Sequence, residues 1–137
     1  MLVTLSALLT LVGCSREAGS PHSVLDQQAL GELDAKCGRE AKAWYATAHG
    51  NDRPPASEVR DLASHYHAGS HRCLAVFSTT VARGYVSTEI IDVDDNTLVG
   101  AYRLNAGQNQ PVECEINGKP CSSSEEWRSL TDAYLHQ

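Results

Sequence analysis

The chain has no CxxC pair, no G-x-S-x-G, no cluster of basic residues and no internal repeat. Without CxxC, neither a thioredoxin-type redox site nor a zinc ribbon has its ligands. Without G-x-S-x-G there is no nucleophile elbow of the α/β-hydrolase kind. The lack of a basic patch, in a chain of formal charge −6, argues against nucleic acid as a partner. Also missing is a run long enough to span a bilayer, which takes about 20 apolar residues in a helix. The longest candidate, MLVTLSALLTLVG at residues 1–13, carries no charge and stops at a cysteine.

That stop is informative. Residues 1–13 have the length and texture of a signal-peptide apolar region, with the small Gly13 before Cys14. Leu11-Val12-Gly13-Cys14 resembles the lipobox of bacterial lipoproteins. The resemblance implies a leader over 1–13, cleavage before Cys14, and a diacylglyceryl group (palmitate or a similar acyl chain) on its thiol. Such leaders carry Lys or Arg before the apolar region, and this one has none. The expectation is that the coding sequence continues upstream of Met1 into a basic segment. Ser15, in place of Asp, implies sorting to the outer membrane, facing the periplasm. Residues 14–23, small and polar after the cysteine, read as a tether, and 24–137 as one folded domain.

Setting Cys14 aside leaves Cys37, Cys73, Cys114 and Cys121, an even number that suits a disulfide framework in a secreted chain. Four cysteines allow three connectivities. The segment VECEINGKPC narrows them. Asn117-Gly118 is a strong type I′ hairpin signal, and centring a hairpin there sets Ile116 opposite Lys119, Glu115 opposite Pro120, and Cys114 opposite Cys121. Pro120 then falls at a non-hydrogen-bonded position, and the two cysteines at a hydrogen-bonded pair with Cα atoms about 5.5 Å apart. That separation lies within disulfide range. Cys114–Cys121 is therefore expected, which leaves Cys37–Cys73.

Two helices are expected first. Leu30, Leu33, Cys37, Ala41, Trp44 and Ala48 recur at helical spacing up to Gly50. From an N-cap at Ser57, Val59, Leu62, Ala63 and Tyr66 fall at i, i+3, i+4 and i+7, closed by Gly69. Cys73–Val81, Tyr85–Val93 and Thr97–Leu104 read as strands. A two-residue loop at Asp95-Asn96 would set Ile91 opposite Gly100 and gather Ile91, Val93, Leu98, Tyr102 and Leu104 on one face. Ser122/Glu125 and Ser123/Glu126 both fit a capping box for a last helix lined by Trp127, Leu130 and Tyr134. The fold class expected is α+β: two N-terminal helices, then an antiparallel meander of three to four strands. The meander ends in a disulfide-closed hairpin, and a C-terminal helix follows, with the helices on one face of the sheet. Over residues 37–135 this order resembles small uncharacterised secreted domains of proteobacterial lipoproteins. That resemblance implies a compartment and a fold, and transfers no functional residue.

Candidate chemistry is sparse. His65, His67 and His71, with His49 upstream, are weak metal candidates, because a helix would splay His65 and His67 about 200° apart. Asp92-Val93-Asp94-Asp95-Asn96 begins like a calcium loop. Thr97 stands where such a loop wants Gly, and Arg103 where it wants Glu. Glu113/Glu115 and Glu125/Glu126 read as solvated carboxylates, whose pKa solvation does not raise. With the cysteines paired or acylated no thiolate remains. The expectation is a non-enzymatic, lipid-anchored module without cofactor that binds an envelope protein or component, with an aromatic patch at Trp44 or Tyr45 as a candidate surface. A small-ligand or metal-binding lipoprotein is the alternative.

Overall fold

The computed structural model describes residues 21–50 and 53–135, with side chains from residue 26 onward. Met1–Gly13, Cys14 and the tether as far as Ser20 lie outside the described residues. Helix α1 (Pro21–His49) takes in the last three tether positions and ends where Gly50 adopts φ +67°, a left-handed cap that glycine tolerates without a Cβ clash. Its apolar stripe is buried only in part. Cys37 and Ala41 are buried, whereas Leu30 and Leu33 are 44% and 37% exposed.

The second helix expected over 57–69 is instead a ten-residue strand, β1 (Glu58–His67). The reason lies in its neighbour. Strand β2 (Arg72–Val81) is buried on one face at Cys73, Ala75, Phe77 and Thr79 and on the other at Leu74, with Val76 and Ser78 there partly buried. A strand buried on both faces sits inside a sheet and bonds on both edges. The chain supplies the outer partner from 58–67, through a turn at Ala68–His71 that sets Glu58 opposite Val81 and His67 opposite Arg72.

Strands β3 (Tyr85–Asp92), β4 (Thr97–Asn105), β5 (Glu113–Ile116) and β6 (Lys119–Pro120) continue the meander. Among the described residues the sheet has six antiparallel strands in sequence order, more than the three or four expected. The β3–β4 loop is wider than two residues. Asp92 pairs with Thr97 and Ile91 with Leu98, and a bulge then resets the register so that Ile90 faces Gly100. The expected apolar face is thereby split: Ile91 and Leu98 point one way and Tyr102 and Leu104 the other, where Ile90, not expected there, joins them. At the last hairpin Asn117 and Gly118 adopt φ +50° and +75°, as a type I′ turn requires. Ile116 faces Lys119, Glu115 faces Pro120, and Cys121 N–H donates to Cys114 O at 2.9 Å.

The two helices lie on opposite faces of the sheet, not on one. Strand alternation puts Leu62, Tyr66, Ala75, Phe77 and Ile91 on the α1 side, where Ala41 and Trp44 meet Ala75, Ile91 and Leu62. Helix α2 (Ser124–Leu135) covers the other side. There Trp127 joins Leu74, Ile90, Tyr102 and Ile116 in the larger core, and its ring stacks on Tyr102 at 5.5 Å. Ser123 Oγ accepts Glu126 N–H at 3.1 Å, and Glu126 Oε2 accepts Ser122 N–H at 2.8 Å, which closes the start of α2.

Cys37 is joined to Cys73 with Cα atoms 5.2 Å apart, fastening α1 to β2. Cys114 is joined to Cys121 at 5.0 Å, within the last hairpin. Among the described residues no helix is long and apolar enough to cross a membrane.

Candidate functional site

β1 ends the sheet order, so one of its edges has no strand beyond it among the described residues. In antiparallel pairing, alternate residues turn N–H and C=O toward the neighbouring strand and away from it. Ser57 O accepts Ala82 N–H at 2.8 Å, so the odd-numbered residues bond toward β2. The even-numbered residues face outward, and two of their N–H groups are capped. Glu58 N–H donates to Pro55 O at 2.9 Å, and Tyr66 N–H donates to Asp34 Oδ1 at 3.0 Å. Between these caps Arg60, Leu62 and Ser64 present backbone donors and acceptors to the outside.

α1 runs antiparallel above this strand. Asp34 sits by Tyr66, and a Cβ built on Gly38 would lie 3.3 Å from Ser64 Oγ. Tyr45 reaches Arg60 further along. Arg60 also bonds Glu58, and its guanidinium is held above its ordinary pKa by Glu58 first and Tyr45 second. The helix roofs one face of β1 and leaves its lateral edge open. Beside the Tyr66 end of that edge lies a groove of about 450 Å³ lined by Leu30, Asp34, His65, Tyr66 and Leu135. On the other face Val59 is 66% exposed and Ala63 is also exposed.

The histidines fall differently from expectation. Because 58–67 is a strand, His65 and His67 share the α2-side face and do not splay. His71 sits in the turn at φ +56°, its Nδ1 3.1 Å from Tyr66 Oη. Among the described residues no three His, Cys, Asp or Glu side chains converge as metal ligands.

His67 is the unusual member. Ser70 N–H donates to its Nδ1 at 3.0 Å, and Ser70 Oγ lies 2.7 Å from the same atom. A ring nitrogen that accepts a backbone N–H carries the lone pair, so in the neutral ring the proton resides on Nε2. Nε2 is buried and has no hydrogen-bond partner among the described residues. The ring stacks on Tyr134 at 5.4 Å and 15°. It lines a cleft of about 250 Å³ with Ile116, Asn117, Lys119, Leu130 and Tyr134. The cleft thus joins the end of β1, the last hairpin and α2. Once 58–67 is a strand, its alternation puts His67 on the α2 side, but no local signal in the sequence marks it out.

The acidic loop serves the fold. Asp92, fully buried, accepts the N–H groups of Asp94 and Asp95 on Oδ1 at 3.1 and 3.4 Å. Its Oδ2 lies 3.0 Å from Arg72 Nη1, near enough for an ion pair but not aligned as a hydrogen bond. Asn96, at φ +51°, accepts Trp44 Nε1–H at 2.7 Å and docks the loop on α1. Trp44 and Tyr45 are partly buried in the helix–sheet seam, Tyr45 against Phe77 at 5.2 Å, and do not form an outward aromatic patch. Glu113, Glu115, Glu125 and Glu126 include no buried member, and Glu126 is occupied in capping.

No family model matches this chain, and neither curated proteins nor solved structures gave a match.

Proposed function

We propose that this domain is a non-enzymatic binding module of the cell envelope that accepts an extended segment of another protein along the free edge of β1. The observation that carries the reading is the window of Arg60, Leu62 and Ser64, delimited by the caps on Glu58 and Tyr66. An unpaired sheet edge is a template for one kind of guest, a strand. In such strand addition backbone hydrogen bonds supply affinity, and side-chain pockets on alternate positions supply specificity. Here the groove at the Tyr66 end of the edge, walled by Leu30 of α1 and Leu135 of α2, would meet one end of the guest, and guest side chains on the α2-side face would meet Val59 and Ala63.

A photo-crosslinking residue at Ala63 tests this in the cell that makes the protein, with a control at Glu125 on α2. The reading expects a discrete adduct from Ala63 that Ser64→Pro abolishes. Proline is tolerated on a sheet edge but removes the outward N–H. The same adduct from the Glu125 position, or one undiminished by Ser64→Pro, would refute it.

The resemblance of Leu11-Val12-Gly13-Cys14 to a lipobox supports a lipid anchor on Cys14 and, with Ser15 next, residence at the outer membrane facing the periplasm. Fatty-acid labelling with the complete coding sequence should be abolished by Cys14→Ser. Label retained by that variant would remove the anchor from the account, and inner-membrane fractionation would remove the sorting alone.

A further inference from the structure

We infer that the guest strand carries one large apolar side chain, of phenylalanine or leucine size, just past the ladder, and that this side chain fills the groove between α1 and the end of α2. The inference rests on the strand-edge reading above and names the residue that gives that edge its specificity. Ser64 is the last residue of the window. Two residues on, about 7 Å further along the strand, the outward N–H of Tyr66 is already taken by Asp34. A guest paired with Arg60, Leu62 and Ser64 therefore finds no donor at Tyr66, and its chain leaves the ladder beside the groove.

The helix supplies the apolar wall. Leu30 lies about two turns before Cys37 and so on the same face of α1. Cys37 is 1% exposed, Leu30 44%. The difference follows from where the sheet stops. Cys37 is fastened to Cys73, which pairs with Tyr66, and β1 ends one residue later at His67. From there α1 carries its apolar stripe about 10 Å further, past the strand ends. Ala68 of the β1–β2 turn and Leu135 of α2 also line the groove. At Gly31 a Cβ would meet no atom within 4 Å, which leaves the helix side open.

Size and polarity favour a large apolar occupant. The groove measures about 450 Å³, within the range of pockets that hold ligands. Its one carboxylate, Asp34, is engaged with the Tyr66 N–H, and the side chains of Leu30, Ala68 and Leu135 offer no hydrogen bond. A charged side chain would give up hydration there for a carboxylate already bonded. An apolar one gains burial against Leu30 and Leu135. An aromatic ring brings the most area, and anchors of that kind dominate binding where they fill a pocket.

The probes are peptides acetyl-Lys-Thr-Val-Thr-Val-Thr-X-amide, with X phenylalanine, leucine, alanine or lysine, and the reversed set with X first. Each is titrated into isotope-labelled protein. Exchange of the Arg60, Leu62 and Ser64 amides reports the edge, and the Leu30 and Leu135 methyl signals report the groove. In one of the two orientations the phenylalanine peptide should bind about 30-fold more tightly than the alanine peptide, with leucine between, and should shift both methyl signals. Gly31→Leu, at an exposed helix position that leaves the fold intact, fills the groove from α1. It should bring the phenylalanine peptide down to the affinity of the alanine one, while the alanine peptide slows the edge amides as before. Equal slowing of those amides by all four residues would overturn the anchor and leave the strand-edge reading standing. A lysine peptide as tight as the phenylalanine one would do the same. No slowing by any peptide in either orientation would overturn both.

Discussion

Asp34, in the middle of α1, places Oδ1 3.0 Å from the backbone N–H of Tyr66, on the outward edge of a strand 32 residues further along the chain. One exposed carboxylate thereby terminates the open edge of β1 and fixes the helix along the strand it roofs. Asp34→Ala should release the Tyr66 amide to exchange and cost about 1 kcal/mol, the net worth of a typical hydrogen bond. Asp34→Asn keeps an acceptor oxygen and should lose less than half of that. Chemical denaturation measures the loss, and amide exchange shows whether Tyr66 is where it arises. Equal losses from both substitutions would mean that charge, not the hydrogen bond, is what matters there.

Two glycines inside α1 should respond differently to alanine. A Cβ at Gly31 meets no atom within 4 Å, whereas one at Gly38 comes within 3.3 Å of Ser64 Oγ. Gly31→Ala should raise stability by about 0.5–1 kcal/mol, the helix-propensity difference. Gly38→Ala gains the same propensity but crowds the strand beneath, so it should raise stability less or lower it. Thermal melts of the two variants test the contrast, and a larger gain at Gly38 would show that α1 stands further from β1 than described.

The disulfides should differ in weight. Cys37–Cys73 spans 36 residues and Cys114–Cys121 spans 7. On the chain-entropy model these closures give roughly 3.8 and 2.5 kcal/mol. Burial adds to the difference. Cys37 and Cys73 are 1% and 3% exposed between α1 and the sheet, while the hairpin pair is only partly buried and its turn persists without the cross-link. The Cys37→Ser/Cys73→Ser variant should therefore melt lower than Cys114→Ser/Cys121→Ser. The reverse order would move the weight of the core to the last hairpin.

What the sequence revealed and what it hid follow from where each element finds its partners. The last hairpin was legible because Asn117-Gly118 sets its register from two residues. The start of α2 was legible for the same local reason, through Ser123 and Glu126. Residues 58–67 were not. Val59, Leu62, Ala63 and Tyr66 satisfy a helical period, and as an edge strand the segment buries neither face fully, so no apolar alternation betrays it. Only the need of β2 for partners on both edges argues for a strand there, and that is a tertiary argument. The same misreading splayed His65 from His67 and hid the cleft in which His67 sits. In the β3–β4 loop the Asp92 carboxylate captures two backbone N–H groups and widens the turn. A reading by loop length alone misses such a bond.

Amide hydrogen exchange along β1 tests the central claim most directly. In the isolated protein Asp61, Ala63 and His65, bonded toward β2, should be protected, while Arg60, Leu62 and Ser64 exchange freely. When the segment captured at Ala63 is added as a peptide, those three amides should slow on the order of 100-fold, with the odd-numbered amides unchanged. Uniform protection of all six amides in the isolated protein, or no slowing at Arg60, Leu62 and Ser64 when the peptide binds, would contradict the account.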